Sequence, residues 1–318
     1  MVKTITTKKG VGMSLIRVFA VYFLYISSSL FPWHHLSFDD ALQTASNLPA
    51  IARSYHYMGI EGADLYLFFK DLYNKYALNI HKASTKLKIP KIIHQIWLGS
   101  SVPSVYASYI KSWKEKHPDW AYMLWTDENV HTLFPLYNQH FYDEVENYGA
   151  KSDILRWEIL YRFGGLYVDM DYECLNPLDE LHYAYDFYTG IQPLDAVFLQ
   201  LGAALVGSIP GHPILKHCIE TVKDDWHHKG APTKTGPVHF TRSFYACAGR
   251  GTIDIALPPF YVYPLGSMEK PTRQLYNAWI AQGSYAVHWW SKSWMPKQYR
   301  PAAFRAIDND VSAAAWND

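Results

Sequence analysis

Ser152-Asp153-Ile154-Leu155-Arg156-Trp157-Glu158-Ile159-Leu160-Tyr161-Arg162-Phe163-Gly164-Gly165-Leu166-Tyr167-Val168-Asp169-Met170-Asp171 changes its hydrophobic period once, and that change decides the fold. Lys151 to Phe163 reads as a helix, with Ser152 as a plausible N-cap and Gly164-Gly165 as the stop. Leu166 to Asp171 then alternates as a strand does. Leu166, Val168 and Met170 face the core, while Tyr167, Asp169 and Asp171 share the other face. Two carboxylates on one face at a strand end repel unless a cation or a cationic side chain sits between them. Oxygen ligands of this kind suit Mg²⁺ or Mn²⁺, ions that often hold substrate phosphates. An Asp-x-Asp alone is more often a solvated turn; the buried strand, the Gly-Gly turn and the preceding helix favour the metal reading. Asp153 and Arg156, spaced i and i+3, touch on one helix face. They are either a routine ion pair or a pair addressed to a polar ligand such as sugar hydroxyls or a diphosphate.

Outward from this block the same alternation continues. Lys91 to Gly99, between Pro90 and a Gly-Ser turn, reads as a buried strand. Ser104 to Lys116 reads as a helix, broken at His117-Pro118-Asp119, and Ala121 to Asp127 as a second strand. Strands alternating with helices imply an α/β sheet whose ligands bind at the carboxyl ends of the strands. Further on, Ile214 to Asp225 is helical, Thr235-Gly236-Pro237 opens another helix, and Pro259 to Pro264 reads as a late strand. Asp64 to Tyr73 carries helical spacing within a mostly helical region, 34–88. The resulting division is an N-terminal basic and apolar segment (1–33), a helical stem or accessory region (34–88), a catalytic domain (89–298) and a C-terminal tail (299–318).

The composition permits a large core: 49% of residues are hydrophobic, 18% are charged, and the formal net charge is zero. That balance argues against disorder and gives no electrostatic basis for a nucleic-acid partner. The aromatic content of 16% suits stacking clefts and large cores alike. Cys174, Cys218 and Cys247 form no CxxC and imply neither a disulfide framework nor a thiolate metal site. At the N-terminus Lys3, Lys8 and Lys9 precede the apolar run Met13–Phe31, interrupted by Arg17. This order suggests membrane association through a single-pass signal anchor, with the side of the membrane left open. A cleaved signal peptide and a helix packed on the domain are the other readings.

At this point the sequence resembles glycosyltransferase family 32. The residues that carry the resemblance are Ile89 to Trp97, Ser112-Trp113, Pro118-Asp119-Trp120, Leu124 to Asp127, Ser152 to Asp171, His288-Trp289-Trp290 and Ser293-Trp294. The core is also similar to that of the clostridial glucosylating toxins. The resemblance covers about residues 89 to 296. It implies a GT-A, Rossmann-like nucleotide-sugar-binding fold, a nucleotide-sugar donor, a divalent metal (Mn²⁺, or Mg²⁺) and retention of anomeric configuration. Carried over residue by residue, Trp97 would stack on the donor base, Asp153 and Arg156 would hold the donor sugar, and Asp169 and Asp171 would meet ribose, metal and diphosphate. Asp127 and Tyr167 are expected at the donor site too; Gln95 either contacts the nucleotide or is a satisfied buried group, and Trp290 and Trp294 either line the donor site or pack in the core. His288 completes the metal shell on one reading and stacks among Trp289, Trp290 and Trp294 on the other. His94 reads as a satisfied buried group, and Glu173 as either a neighbour of the metal or a solvated turn.

The expectation is therefore a retaining, metal-dependent transferase moving a hexose from a UDP- or GDP-sugar to a glycan, lipid or protein acceptor. A nucleotide-sugar-binding protein without turnover is the non-enzymatic alternative. A glycoside hydrolase is the other, and it would need two acids facing each other across a sugar.

Overall fold

In the computed structural model, which describes residues 36–43, 51, 59–81, 86–196, 198–228, 230–293 and 295, the apolar run after Pro90 is strand β1 (Ile92–Ile96). It pairs in parallel with β2 (Ala121–Trp125) on one side and β3 (Gly165–Val168) on the other. The next strand, β4 (Tyr172–Cys174), leaves this sheet, while β5 (Phe187–Ile191), β6 (Leu201–Ser208) and β7 (Asp254–Leu257) extend it. The six-stranded order is β2-β1-β3-β6-β5-β7, and β6 alone runs against its neighbours. Its reversal brings the start of β6 beside the carboxyl end of β3, the edge where an α/β sheet holds its ligands. Strand β4 pairs antiparallel with β8 (Ala286–His288), which carries His288 opposite Tyr172. The α/β class read from the sequence is the one observed.

Short helix α1 (Phe38–Leu42) and α2 (Gly62–Tyr76) make up most of the described N-terminal extension, which is helical as expected. Helix α2 buries Leu65, Phe69 and Leu72 and packs on β7. Helix α3 (Ala107–Lys116) lies against β4. Helix α4 (Tyr148–Phe163) packs on β3 and β6 and on α5 (Pro213–Asp225), which in turn packs on α6 (Pro237–Cys247). Helix α7 (Arg273–Ala281) precedes β8.

Several expected boundaries move. Helix α4 starts before Ser152: its N-cap is Asn147, whose side chain accepts from the Ala150 amide at 3.1 Å. Asn satisfies an orphan first-turn amide as well as Ser does, and here it does so one turn earlier. The strand expected through Asp171 ends at Val168, and Asp169 to Asp171 form a turn closed by the Tyr172 amide on the Asp169 carbonyl (3.2 Å). Pro259 to Pro264 is not a strand; Pro259–Val262 is a short helix, because Pro259 at its first position has no amide to lose. The membrane-associated localisation is also corrected: among the described residues no helix is long and apolar enough to cross a membrane. The run Met13–Phe31, on which that expectation rested, lies outside the described residues, as does 296–318.

The Gly164-Gly165 turn that joins α4 to β3 admits nothing larger. Gly165 has φ 98°, and a Cβ there would lie 2.6 Å from the Ile92 carbonyl oxygen, a backbone atom of β1 that cannot yield cheaply. His94, buried next to it, accepts from the Trp125 indole N–H through Nδ1 (3.2 Å), so its Nε2 donates to the Gly164 carbonyl (3.0 Å). Burial holds this imidazole neutral, with its pKa pushed down to about 4.

Two outcomes follow. Gly165→Ala lowers the unfolding free energy by about 2 kcal/mol or more, measured by urea denaturation, because strained φ and a backbone clash add. The second concerns pH. A histidine whose folded pKa lies below its unfolded value contributes stability above pH ~6.5 and loses it as pH falls toward ~4. Between pH 7.5 and 5 this site costs the wild type about 2 kcal/mol that His94→Gln does not lose, so the variant has the shallower fall in urea midpoint.

Candidate active site

One guanidinium organises the centre. Arg156, buried on α4, donates through Nη1 to the Ala203 carbonyl of β6 (2.6 Å) and through Nη2 to the Tyr167 hydroxyl and Asp169 Oδ1 (both 3.2 Å). Asp153 Oδ1 stands 3.3 Å from the same Nη2. Its other oxygen accepts from the Thr235 hydroxyl at 3.0 Å. The Tyr167 hydroxyl donates to Asp169 Oδ1 at 2.7 Å. The guanidinium carbon lies 4.3 Å from the centre of the Tyr167 ring. Thus the i, i+3 pair is no surface ion pair: it is buried and continues to the Asp-x-Asp. Burial raises the Asp153 pKa to about 6 despite the opposing Arg156 charge and Thr235 hydrogen bond. Burial lowers that of Arg156, but Tyr167, Asp169 and Asp153 outweigh it and keep the group cationic.

The second carboxylate is held from the other side. Asp171 Oδ1 lies 3.1 Å from His288 Nε2, and its Oδ2 accepts from the Ser291 amide at 2.6 Å. The Trp289 amide donates to the Asp171 carbonyl (2.9 Å). Burial alone would raise the Asp171 pKa, but the His288 charge and the hydrogen bonds from His288 and Ser291 pull it down to about 2. The His288 ring stacks on Tyr172 with centroids 4.9 Å apart and planes at 9°, and its buried Nδ1 has no hydrogen-bond partner among the described residues. Asp169, Asp171 and His288 each offer a ligand atom, and these lie within 4.8 Å of one another. Two carboxylate oxygens and an imidazole nitrogen form a donor set that fits a small divalent cation, and the imidazole suits Mn²⁺ better than Mg²⁺. The ring thus stacks on Tyr172, and not among the tryptophans, with Trp290 tilted beside it at 4.3 Å, while its other side reaches the Asp171 carboxylate.

These groups open on a cavity of about 810 Å³. Trp97, Asp153, Arg156, Tyr167, Asp169, Asp171, His288 and Trp290 of the expected site all line it. Asp169 is the more open carboxylate, its side chain 30% exposed against 9% for Asp171. Gln95 and Asp127 are absent from the lining. Gln95 donates to the Asp169 carbonyl (3.2 Å) and accepts from Tyr122 (2.6 Å), so it pins the Asp-x-Asp turn from below. Asp127 accepts from the Gly99 amide at 2.6 Å and fixes the turn that follows Trp97. Glu173 lies on β4 and not in a solvated turn: it is half-buried, Tyr276 (2.6 Å) and Trp289 (3.0 Å) donate to it, and it is absent from the cavity lining. Trp294 lies outside the described residues.

Sequence reading missed Ser291, Lys292, Tyr148, Gln192 and Gln200, all of which line the cavity. Ser291 and Lys292 fall inside the His288–Trp294 stretch, whose position after a late strand was the available signal. The two glutamines bracket the β5–β6 connection, and nothing local marks them.

Residues 103–188 match the family model described as "Glycosyltransferase sugar-binding region containing DXD motif". The inositol phosphoceramide mannosyltransferase 3 of Schizosaccharomyces pombe is 36% identical over 117 residues, 36% of this chain and 32% of that protein. Mannosyl phosphorylinositol ceramide synthase SUR1 of Saccharomyces cerevisiae is 32% identical over 138 residues, 42% of this chain and 35% of its own. The matches thus span about a third of the length of these relatives. Among solved structures the PaToxG glycosyltransferase aligns over 58% of this chain and 80% of its own, at 17% identity and a TM-score of 0.46, a distance at which the likeness carries no weight. The resemblance to glycosyltransferases drawn from the motifs is borne out: the matched family and these relatives are glycosyltransferases.

Arg156→Met leaves the buried Asp153 without its cationic partner. The expected loss of stability is about 3 kcal/mol at pH 7.5, by urea denaturation. At pH 5.5 the loss is smaller, because Asp153 without its cation takes up a proton there and no longer buries a charge.

Proposed function

We propose that this chain is a retaining, metal-dependent glycosyltransferase that moves a hexose from a UDP- or GDP-sugar to a glycan, lipid or protein acceptor. The observation that carries the reading is the convergence of Asp169, Asp171 and His288 at one end of a cavity whose wall also holds Asp153 and Arg156. Asp169, Asp171 and His288 would hold Mn²⁺ or Mg²⁺, which supplies positive charge to a diphosphate when bound. Arg156, fixed by its hydrogen bonds before any ligand arrives, needs no reorganisation to present its charge to the donor. Asp153, ionised above pH ~6, accepts from sugar hydroxyls. Trp97 and Trp290 offer aromatic surface to the nucleotide and sugar.

The uncharged character of the cavity wall formed by Gln192, Gln200, Ala203 and Ala204 favours front-face attack as the route to retention. A double displacement would need a carboxylate nucleophile beneath the sugar. With front-face attack, the acceptor oxygen bonds to the anomeric carbon as the carbon–oxygen bond to the diphosphate breaks. The hydroxyl proton passes to the departing phosphate oxygen. The relatives named for mannosyl transfer to inositol phosphoceramide make a mannosyl donor the first to try. A hydrolase would place its two acids across a sugar, whereas Asp169 and Asp171 converge with His288 on one point.

The test is nucleotide release from a panel of UDP- and GDP-sugars, GDP-mannose among them, with Mn²⁺. One donor is turned over, EDTA abolishes the release, and Asp171→Asn lowers it about 100-fold or more. Release that survives both EDTA and Asp171→Asn sinks the metal-dependent reading. Donor binding without any turnover, with acceptors supplied, leaves a binding protein instead.

A further inference from the structure

The charges that line the cavity do not balance once a donor is added. Four carboxylates line it: Glu146, Asp153, Asp169 and Asp171. Arg156 already stands between Asp153 and Asp169, at 3.3 and 3.2 Å, and His288 is committed to Asp171 at 3.1 Å. A divalent cation offsets most of the carboxylate charge that remains and leaves none over. A nucleoside diphosphate brings its own negative charge into the same space, and gains a further one as the bond to the sugar breaks. Among the described residues that line the cavity, Lys292 is the one cation with no carboxylate partner.

Its placement is also unusual. Lys292 has φ 52° and Trp290 φ 54°, so two non-glycine residues in the left-handed region flank Ser291. L-residues rarely adopt this conformation, and it persists where the surroundings enforce it. Here they do. The Ser291 amide is bonded to Asp171, the Ser291 hydroxyl accepts from Tyr106 (3.2 Å), and the Trp290 indole donates to the Leu265 carbonyl (3.0 Å). The strap that carries Lys292 is thereby registered to a carboxylate of the candidate metal site.

We infer that Lys292 is a catalytic residue whose ammonium binds the diphosphate of the donor and balances the charge that grows on it as it leaves. This deepens the donor reading above and rests on it. Lys292 takes part as a charge: it keeps its proton, the electron pair of the breaking carbon–oxygen bond stays on the phosphate oxygen, and the acceptor's proton goes there too. A left-handed position that glycine would fill without strain holds a lysine because the site uses the ammonium.

The test titrates UDP and GDP, with Mn²⁺ present, into the full chain and its variants by calorimetry, with uridine and guanosine as controls. Lys292→Met weakens the preferred diphosphate about 10-fold or more, Lys292→Arg retains most of the affinity, and the free nucleoside binds all three alike. With the donor found by the release assay, kcat for Lys292→Met falls about 100-fold, further than donor affinity does, since the ammonium matters most when the leaving charge is greatest. Lys292→Gly separates function from folding: it melts at or above the wild-type temperature yet binds the diphosphate as weakly as Lys292→Met. Diphosphate affinity and kcat unchanged in Lys292→Met overturn the inference and leave the transferase reading standing. A wild type that binds neither UDP nor GDP with Mn²⁺ removes both.

Discussion

The structure around the cavity depends on the burial of the Arg156 guanidinium. One cation on α4 holds Asp153 on its own helix, Tyr167 and Asp169 at the end of β3, and the Ala203 carbonyl of β6. A charge taken out of water is costly unless its donors and its counter-charges are met, and four partners on three elements meet most of this one. Its Nε has no partner among the described residues, a buried donor next to the cavity. The arrangement fixes the distance between helix and sheet where the ligand edge opens, so the polar end of the cavity is set before any ligand arrives. It also makes the carboxylates tolerable: Asp153 and Asp169 share a cation that neither could spare.

The second support comes from the far end of the described chain. Strand β8 runs beside β4 and delivers His288 to Asp171, and the strap after it wraps the same carboxylate with the Ser291 amide. Asp169 and Asp171 are two residues apart yet belong to separate networks, one built on Arg156 and one on His288. A site assembled this way brings its charged partners from distant parts of the chain. The left-handed backbone at Trp290 and Lys292 is the local cost of that wrapping.

Element existence was legible where periodicity was strong. The strands at 92–96 and 121–125, the helices at 107–116 and 213–225, and the Gly164-Gly165 turn all follow from local pattern. Boundaries were less so. The strand after Gly165 stops at Val168 because the chain leaves β6 to pair with β8, a partner more than a hundred residues away. Pro259 to Pro264 reads as a strand by its aromatic content, but Pro at a first helical position fits a helical turn equally, and the packing of Tyr261 and Val262 decides. Gln95 and Asp127 were expected in the donor site, and neither lines the cavity. That they face backbone amides and carbonyls instead of the cavity is a matter of which neighbour reaches them first.

By itself the sequence determined the α/β alternation, the glycine turn that nothing larger can replace, and the residue types of the Asp153–Arg156 and Asp169–Asp171 pairs. These are fixed by local sterics and by a period that a single segment displays. Only the tertiary structure decided that Arg156 would be buried between two carboxylates, that His288 would meet Asp171, and that Gln95, Asp127 and Glu173 would turn away from the cavity. It alone placed Lys292 at the cavity with no carboxylate partner among the described residues. The physical reason is that charge balance and hydrogen-bond satisfaction are properties of groups brought together in space, and a one-dimensional pattern carries no information on which distant partner arrives.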